Sequence, residues 1–281
     1  MCLQKIMDAW PWIAESSLRL FGCKTTECLM SRMLIGAWLY LVVVFIQSSF
    51  FAAPYGKFTE SHKTPGFVQR LMVAQMPAGL GWFVQEVPAF VVGFTGILHL
   101  YKNNEVNLML VMVPFVLHYF NRSFIYPLSI KQGRAVPVLT VFFAVIFCLW
   151  NGVLQTLYVL SNNPLFHSEL LMYVGLVLFC TGMFINKQSD YILANLRKPG
   201  ETGYKIPIGG MFKFVSAPNY LGEIMEWTGW FFMNPNHASL WFCLFTVAFL
   251  GTRALHTHAF YQAKFKEEYP ADRKAVIPGL I

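Results

Sequence analysis

The sequence predicts an all-α membrane protein whose helices cross the bilayer several times. Only 12% of the 281 residues are charged and 56% are hydrophobic, whereas a soluble domain carries about 25% charged residues. The apolar residues are grouped in blocks that match the roughly 20 residues a helix needs to cross the hydrocarbon core. Lipid is therefore the expected solvent, because so few charges would not solvate a globule of this size.

Seven helices are predicted from these blocks. The longest uncharged runs are 34–53, 135–160 and 228–252. Three more blocks are hydrophobic but contain polar residues: 80–100, 106–128 and 170–193. The triplet Asn234-Pro235-Asn236 favours a turn, so we divide the last region there into a short helix over 220–233 and a full helix.

Basic residues are concentrated in alternate loops, which predicts the orientation. The turns near 101–105, 161–169 and 233–237 contain only Lys102, whereas the other loops and the C-terminal tail are rich in Lys and Arg. We expect the basic side and the C-terminus to face the cytosol, with the N-terminus luminal or outside. Residues 1–30 are taken as an N-terminal segment, with an interfacial helix as one interpretation, and 31–281 as a single seven-helix domain. The six cysteines form no CxxC pair, so neither a zinc site nor a disulfide framework is predicted.

Ionisable residues inside membrane helices are candidates for a functional site, because their insertion costs a few kcal/mol. Trp82 and Glu86 are four residues apart and share a helix face. A buried neutral Glu86 can donate a hydrogen bond to a ligand carbonyl; the alternative is an interfacial glutamate that reaches the headgroups.

The third helix ends in a polar stretch. His118, Arg122 and Tyr126 have i, i+4, i+8 spacing, which predicts one face, whereas Tyr119 and Asn121 are expected to point elsewhere. The alternative is a snorkelling arginine with an interfacial tyrosine.

The fifth helix leads into a basic loop. Asn186 and Asp190 are one turn apart, and Arg197 follows two turns later. The loop 198–210 is rich in Gly, Pro and basic residues, so it can fold backbone and cations around phosphates. The alternative is a solvated charged loop.

The last two helices each contain a polar face. Asn219, Glu223 and Glu226 have i, i+4, i+7 spacing, and the two acids need partners, which the cytosolic arginines are expected to supply. On the last helix the face is Arg253, Thr257 and Tyr261, flanked by His256 and His258. The spacing of these histidines is unlike HExxH, so no metal is expected. No GxGxxG motif follows a strand, which excludes a Rossmann fold and leaves a nucleotide site between helices.

These stretches together resemble the steroid 5α-reductase family, from residue 55 to the last residue. The matching pieces occur in order along the chain, which makes the resemblance specific. They include Tyr55-Gly56-Lys57, Trp82 to Pro88, His118 to Tyr126, Asn151 to Gln155, Leu196 to Gly200, Asn219 to Trp227 and Arg253-Ala254.

The resemblance implies an oxidoreductase with NADPH entering from the cytosol and a steroid entering from the membrane. Gln85, Glu86 and Tyr119 then match the family's substrate-facing set, with Glu86 and Tyr119 bound to the steroid C3 carbonyl and Trp82 lining the same pocket. Thr257 replaces a histidine of several members. The implied cofactor contacts are Tyr55, Arg122, Arg134, Asn186, Asp190, Arg197, Lys205, Asn219, Glu223, Arg253, His256 and Tyr261.

The implied reaction is hydride transfer from the nicotinamide to C5 of a 3-oxo-Δ4 steroid. Negative charge then builds on the C3 oxygen, where one well-aimed donor is typically worth about 3 kcal/mol. Protonation at C4 follows, from Tyr119 or from water. The expected membrane is the endoplasmic reticulum for a eukaryotic source and the inner membrane for a bacterial one, with no obligate protein partner.

Three other classes are compatible with parts of the sequence. Reductases of polyprenal or trans-2-enoyl-CoA use the same hydride chemistry, but the Gln85-Glu86 pair and the His118-Tyr119 start favour the steroid branch. An isoprenylcysteine methyltransferase binds a cofactor without a pyrophosphate, which the cation-rich loop disfavours. A sterol-binding protein without catalysis would need no nucleotide site.

Overall fold

The computed structural model describes residues 18–50, 74–131, 134–198, 200–201 and 203–281. In these ranges the chain is mainly helical, with two short strands, which confirms the all-α class. The elements in order are α1 (Thr26–Phe50), β1 (Gln75–Met76), α2 (Ala78–Lys102), α3 (Val106–Phe120), a π-helical segment (Asn121–Ile125), α4 (Tyr126–Ser129), β2 (Val136–Pro137), α5 (Val138–Ser161), α6 (Glu169–Ala194), a 3-10 turn (Gly210–Lys213), α7 (Pro218–Met233), α8 (His237–Phe265) and a second 3-10 turn (Lys266–Glu268).

Six helical stretches of the described chain are long and apolar enough to cross a membrane. They are Thr26–Phe50, Ala78–Lys102, Val106–Ser129, Val138–Ser161, Glu169–Ala194 and His237–Glu268. The seventh predicted helix is α7, which has only 16 residues. The multi-pass architecture is thus confirmed, whereas seven crossings and their orientation stay predictions.

The N-terminal end of α1 differs from the sequence expectation. The helix begins at Thr26, ahead of the uncharged run, because Glu27 and Arg32 are accommodated in its first turns. The prediction of no disulfide was wrong, since Cys23 and Cys28 are bonded with their Cα atoms 5.7 Å apart. A turn at Gly22 (φ +59°) precedes the helix and brings these two residues together, which their spacing does not reveal. Residues 1–17 lie outside the described ranges.

A short ribbon aligns the starts of α2 and α5. Gln75 pairs with Pro137 and Met76 with Val136 in an antiparallel bridge, and each helix begins directly after a proline. Further along the two helices, a Cβ on Gly152 would lie 3.0 Å from the Cα of Ala89. This close contact brings the polar residues of α2 and α5 together in the core.

The backbones of α6 and α7 touch at glycines. A Cβ on Gly175 would lie 2.6 Å from the carbonyl oxygen of Gly229, and one on Gly222 would lie 2.5 Å from the backbone nitrogen of Asn186. Gly182 faces the carbonyl of Gly222 in the same way. Small residues permit such close packing between membrane helices, where van der Waals contact drives association.

The division of the last region at residues 234–236 is confirmed. The Asn236 side chain caps α8 by accepting hydrogen bonds from the backbone nitrogens of Ala238 (2.9 Å) and Ser239 (3.0 Å). Ser239 Oγ accepts from the Asn236 backbone in return, completing a capping box. This cap fixes where the full-length helix starts.

We predict that Gly182→Ala lowers the thermal stability of the detergent-solubilised protein. The new methyl group would force α6 away from α7, and overpacking of this kind costs about 1–3 kcal/mol. The control is Gly251→Ala on α8, because a Cβ there meets no atom within 4 Å among the described residues. An equal effect of both changes on the melting temperature would contradict the close-contact interpretation.

Candidate active site

A cavity of about 660 Å³ lies between α1, α2, α3, α5, α6, α7 and α8. Most of the site residues that the sequence indicated line it. They are Trp82, Gln85, Glu86, Tyr119, Arg122, Arg134, Asn186, Asp190, Arg197, Lys205, Asn219, Glu223, Arg253 and Tyr261. The volume falls within the usual range for small-molecule sites, roughly 300–1,000 Å³.

The carboxyl group of Glu86 is held from both sides. Gln85 Nε2 donates to Glu86 Oε1 at 3.1 Å, and the thiol of Cys148 donates to Oε2 at 3.6 Å. Glu86 is only 9% exposed and lines the cavity. The Gln-Glu pair therefore forms one polar unit in the wall.

The hydroxyl group of Tyr119 is held by α5. Asn151 Nδ2 donates to Tyr119 Oη at 3.0 Å, and Gln155 supports Asn151 from one helical turn further on. Cys148, which contacts Glu86, lies three residues before Asn151 on the same helix. One face of α5 thus holds both Glu86 and Tyr119.

Sequence analysis did not assign site roles to Cys148, Asn151 and Gln155. The sequence does contain a sign that Asn151 and Gln155 belong to the site. They are four residues apart, so they share a helix face, and they are polar residues in an otherwise apolar helix.

Tyr119 was expected to point away from the face of His118 and Arg122. Its hydroxyl contacts Asn151 on α5 whereas His118 contacts Glu226 on α7, yet all three residues line the cavity. Adjacent helical residues are only about 100° apart, and this cavity is wide enough to reach both.

The guanidinium group of Arg122 is enclosed by aromatic rings. Its Cζ lies 4.3 Å from the ring centre of Trp82 and 4.4 Å from that of Tyr126, in favourable cation–π geometry. Asp190 on α6 completes the contact at 3.5 Å. Arg122 lies in the π-helical segment, where Asn121 and Ser123 are also buried. Segments of this kind occur frequently at functional sites.

The buried acid Glu226 has a partner that the sequence did not indicate. We expected arginines to pair with the acids of α7, but Glu226 Oε2 lies 2.7 Å from His118 Nδ1, within hydrogen-bond distance. Both residues are almost fully buried, at 4% and 1% exposure. The pair connects α3 to α7, and His118 itself lines the cavity.

Polar residues of α6, α7 and α8 meet at the basic end of the cavity. Asn186 Nδ2 donates to the backbone carbonyl of Asn219 at 2.9 Å, and Arg253 Nε donates to the Tyr220 hydroxyl at 3.0 Å. Together with Asp190 and Glu223, these groups give this end its hydrogen-bonding capacity.

The loop after α6 folds back toward the cavity. Arg197 donates to the carbonyl of Gly203 at 3.4 Å, and Lys205 pairs with Glu201 four residues earlier. The Lys205 ammonium group, together with the Lys198 backbone N–H, holds the pKa of the exposed Glu201 below its ordinary value. Pro199 and Thr202 of this loop lie outside the described residues.

One predicted cofactor residue, His256, is not among the residues of the cavity wall, and a second cannot be placed. Tyr55 lies outside the described ranges. The His256 ring is 2.9 Å from the backbone carbonyl of Ser48, so it contacts α1. The neighbouring Thr257 is buried, and its hydroxyl has no partner among the described residues.

The charge on the cavity wall favours an anionic ligand. Six basic side chains line the described part of the wall, whereas only three acidic ones do. Arg122, Arg134, Arg197, Lys205 and Arg253 are among the cations, and guanidinium groups bind phosphate oxygens with charge-assisted hydrogen bonds. The donor set therefore fits the phosphates of a nucleotide.

The remaining wall is apolar. Its residues come from α1, α5 and α8, and they include Val44, Phe147, Phe242, Phe245 and Phe249. Such a surface fits a rigid hydrocarbon skeleton and excludes water. One cavity thus combines a cationic end, a polar unit around Glu86 and Tyr119, and an apolar end.

Comparison with known proteins identifies the family. The family described as 3-oxo-5-alpha-steroid 4-dehydrogenase matches residues 134–281. The chain is 41% identical to 3-oxo-5-alpha-steroid 4-dehydrogenase 2 of Sus scrofa, over 90% of this chain and 98% of that protein. It is 39% identical to Steroid 5-alpha-reductase DET2 of Gossypium hirsutum (89% and 95% covered) and 37% identical to 3-oxo-5-alpha-steroid 4-dehydrogenase 1 of Bos taurus (90% and 99% covered). The chain therefore belongs to the steroid 5α-reductase family.

Proposed function

We propose that this protein reduces the 4,5 double bond of 3-oxo-Δ4 steroids with NADPH, inside the membrane. The observation that carries the proposal is that Glu86 and Tyr119 line the same cavity as a set of basic side chains that outnumber the acidic ones. The side chains of the cavity wall are suited to two ligands. One is apolar and has a carbonyl group, and the other is anionic. The names of the relatives agree with this substrate class.

The basic end of the cavity is proposed to hold the cofactor. Arg197, Lys205 and Arg253 are suited to its phosphates, since they are cations on the cytosolic side of the predicted topology. Asn186 and Asp190 supply hydrogen-bonding groups between the phosphates and the polar unit. When bound, the reduced nicotinamide supplies hydride to C5 of the steroid.

The polar unit is proposed to stabilise the charge that develops on the substrate. Reduction at C5 places negative charge on the C3 oxygen, and donors fixed in advance stabilise this charge without reorganisation. Tyr119 supplies one donor. Glu86 supplies a second when it is protonated. Gln85 donates to Oε1 at 3.1 Å, so the proton would be carried by Oε2, which the Cys148 thiol contacts at the longer distance of 3.6 Å. Protonation at C4 then completes the reduction, with Tyr119 and water as the two candidate donors.

The apolar end is proposed to receive the steroid skeleton from the bilayer. Phe147, Phe245 and Phe249 provide flat apolar contacts, which favour a fused-ring hydrocarbon over a charged or flexible polar ligand. Exclusion of water strengthens the hydrogen bonds at C3, because the local dielectric constant is low.

We propose the endoplasmic reticulum membrane as the location if the source is eukaryotic and the inner membrane if it is bacterial, with the basic loops and the C-terminus in the cytosol in both cases. The loop charges support this orientation. In sealed microsomes, a C-terminal epitope tag should be digested by added protease. Protection of the tag until detergent is added would reverse the orientation.

The first test of the function is a substrate panel with purified protein in detergent. With NADPH and 3-oxo-Δ4 steroids, we expect a fall in absorbance at 340 nm and a 5α-reduced ketone as product. Polyprenals and trans-2-enoyl-CoA are included as competing substrates. Turnover of these compounds without turnover of any steroid would overturn the proposal.

Glu86→Gln and Tyr119→Phe should reduce kcat about 100-fold or more. Tyr119→Phe removes a donor to the developing oxyanion, and Glu86→Gln replaces an acidic O–H donor with a far less acidic amide N–H. The affinity for NADPH, measured by fluorescence titration, should change little, since neither residue is assigned to the phosphates. Equal losses of turnover and cofactor affinity would contradict these roles.

Arg197→Ala and Arg253→Ala should each weaken NADPH binding by about tenfold or more, which corresponds to a charge-assisted hydrogen bond of roughly 1.5–3 kcal/mol. Lys213→Ala is the control, because this lysine is a nearby cation beside the Phe214 ring and does not line the cavity. If the affinity for NADPH were unchanged in both arginine variants, the proposal that Arg197 and Arg253 bind its phosphates would be rejected.

A further inference from the structure

A row of hydrogen bonds runs through the core from the indole of Trp230 to the hydroxyl of Tyr119. Trp230 Nε1 donates to Gln155 Oε1 at 3.1 Å, Gln155 Nε2 donates to Asn151 Oδ1 at 3.2 Å, and Asn151 Nδ2 donates to Tyr119 Oη at 3.0 Å. Trp230, Gln155 and Asn151 are fully buried. The row crosses from α7 through α5 to α3, so it joins three helices around one wall of the cavity.

The direction of this row is fixed at Gln155. An indole N–H can only donate, so the Gln155 oxygen must face Trp230. The backbone carbonyl of Ala238 can only accept, and it lies 2.9 Å from Gln155 Nε2. Two independent groups thus require the same orientation of the Gln155 amide. Such agreement is what identifies the oxygen and the nitrogen of a buried glutamine side chain.

The orientation of Gln155 determines that of Asn151. Because the Gln155 amide nitrogen donates to Asn151 Oδ1, the Asn151 nitrogen must face Tyr119. The reverse orientation would place two amide nitrogens against each other and leave buried N–H groups without an acceptor, a cost of about 1–3 kcal/mol. The amide orientations are therefore set by groups on the far side of the core from the cavity.

The orientation of Asn151 determines how the Tyr119 hydroxyl can form hydrogen bonds. Its oxygen accepts from Asn151, so its own hydrogen must be given to another group, and the phenol lines the cavity. In the described part of the chain, Asn151 is the hydrogen-bond partner found for this hydroxyl. An acceptor inside the cavity is then the natural recipient of the Tyr119 hydrogen.

We propose that Trp230, Gln155 and Asn151 are positioning residues that force Tyr119 to act as a hydrogen-bond donor toward a ligand carbonyl. The inference rests on the proposed function, because it deepens the role assigned to Tyr119. Without the row, the Asn151 amide can turn its oxygen to the phenol. The Tyr119 hydroxyl then donates to Asn151 and presents only its oxygen lone pairs to the substrate. Trp230 acts at a distance in this scheme, since it does not line the cavity.

A double-mutant cycle tests the proposal. Trp230→Phe removes one of the two groups that orient Gln155 while keeping an aromatic ring. Because the Ala238 carbonyl still holds the amide, we expect kcat to fall about fivefold rather than to be abolished. In a Tyr119→Phe background the same change should have almost no further effect on kcat, because no hydroxyl remains to be oriented. A purely structural effect would instead reduce kcat by the same factor in both backgrounds, and that result would overturn the proposal.

Trp241→Phe is the matched control. Trp241 is as deeply buried as Trp230, and its Nε1 donates to the Ala37 carbonyl at 2.7 Å, away from the row. This variant loses the same N–H and the same ring volume, and kcat should change by less than about twofold. Equal loss of kcat in the Trp230 and Trp241 variants would also reject the row.

Asn151→Ala provides a second variant if Trp230→Phe folds poorly. It removes the final donor directly and introduces the best helix former into α5. Its effect on kcat should likewise disappear in the Tyr119→Phe background, with the NADPH dissociation constant unchanged in all variants. Full activity of Tyr119→Phe alone would refute the proposed catalytic role of Tyr119, whereas additive losses would refute only the row.

Discussion

Two glycine-mediated contacts let the backbones of α6 and α7 touch, and the positions of the polar groups depend on this approach. Gly175 meets Gly229 and Gly182 meets Gly222, so no side chain separates the helices there. Asn186 can then reach the backbone of α7, and Glu226, which lies between Gly222 and Gly229 along α7, reaches His118 on α3. Neither contact would survive if larger side chains increased the distance between the two helices.

Lipid imposes a second condition on the interior, since a buried polar group without a partner is costly there. The protein meets this condition by pairing polar side chains across helices. Arg122 is enclosed by Trp82, Tyr126 and Asp190, and Glu86 receives donors from Gln85 and Cys148. The same contacts that satisfy these groups also fix their orientation, which is the preorganisation that catalysis of an enone reduction needs.

Much of the fold and part of the site could be predicted from the sequence. Apolar block length predicted the membrane helices, and the triplet at 234–236 predicted the start of α8, because both depend on local properties of the chain. Helical spacing identified Arg122, Asp190 and Glu223 as candidates, and all three line the cavity. The resemblance added Tyr119, which helical spacing alone had placed on another face.

The sequence by itself determined the solvent of this protein, the approximate helix limits and the set of ionisable residues that must be buried. Only the tertiary structure decided which of them meet: His118 with Glu226, Asn151 with Tyr119, and His256 with α1. The reason is geometric. Spacing along one helix defines a face, but the partner of that face is set by how closely other helices approach, and this depends on small residues far away in the chain.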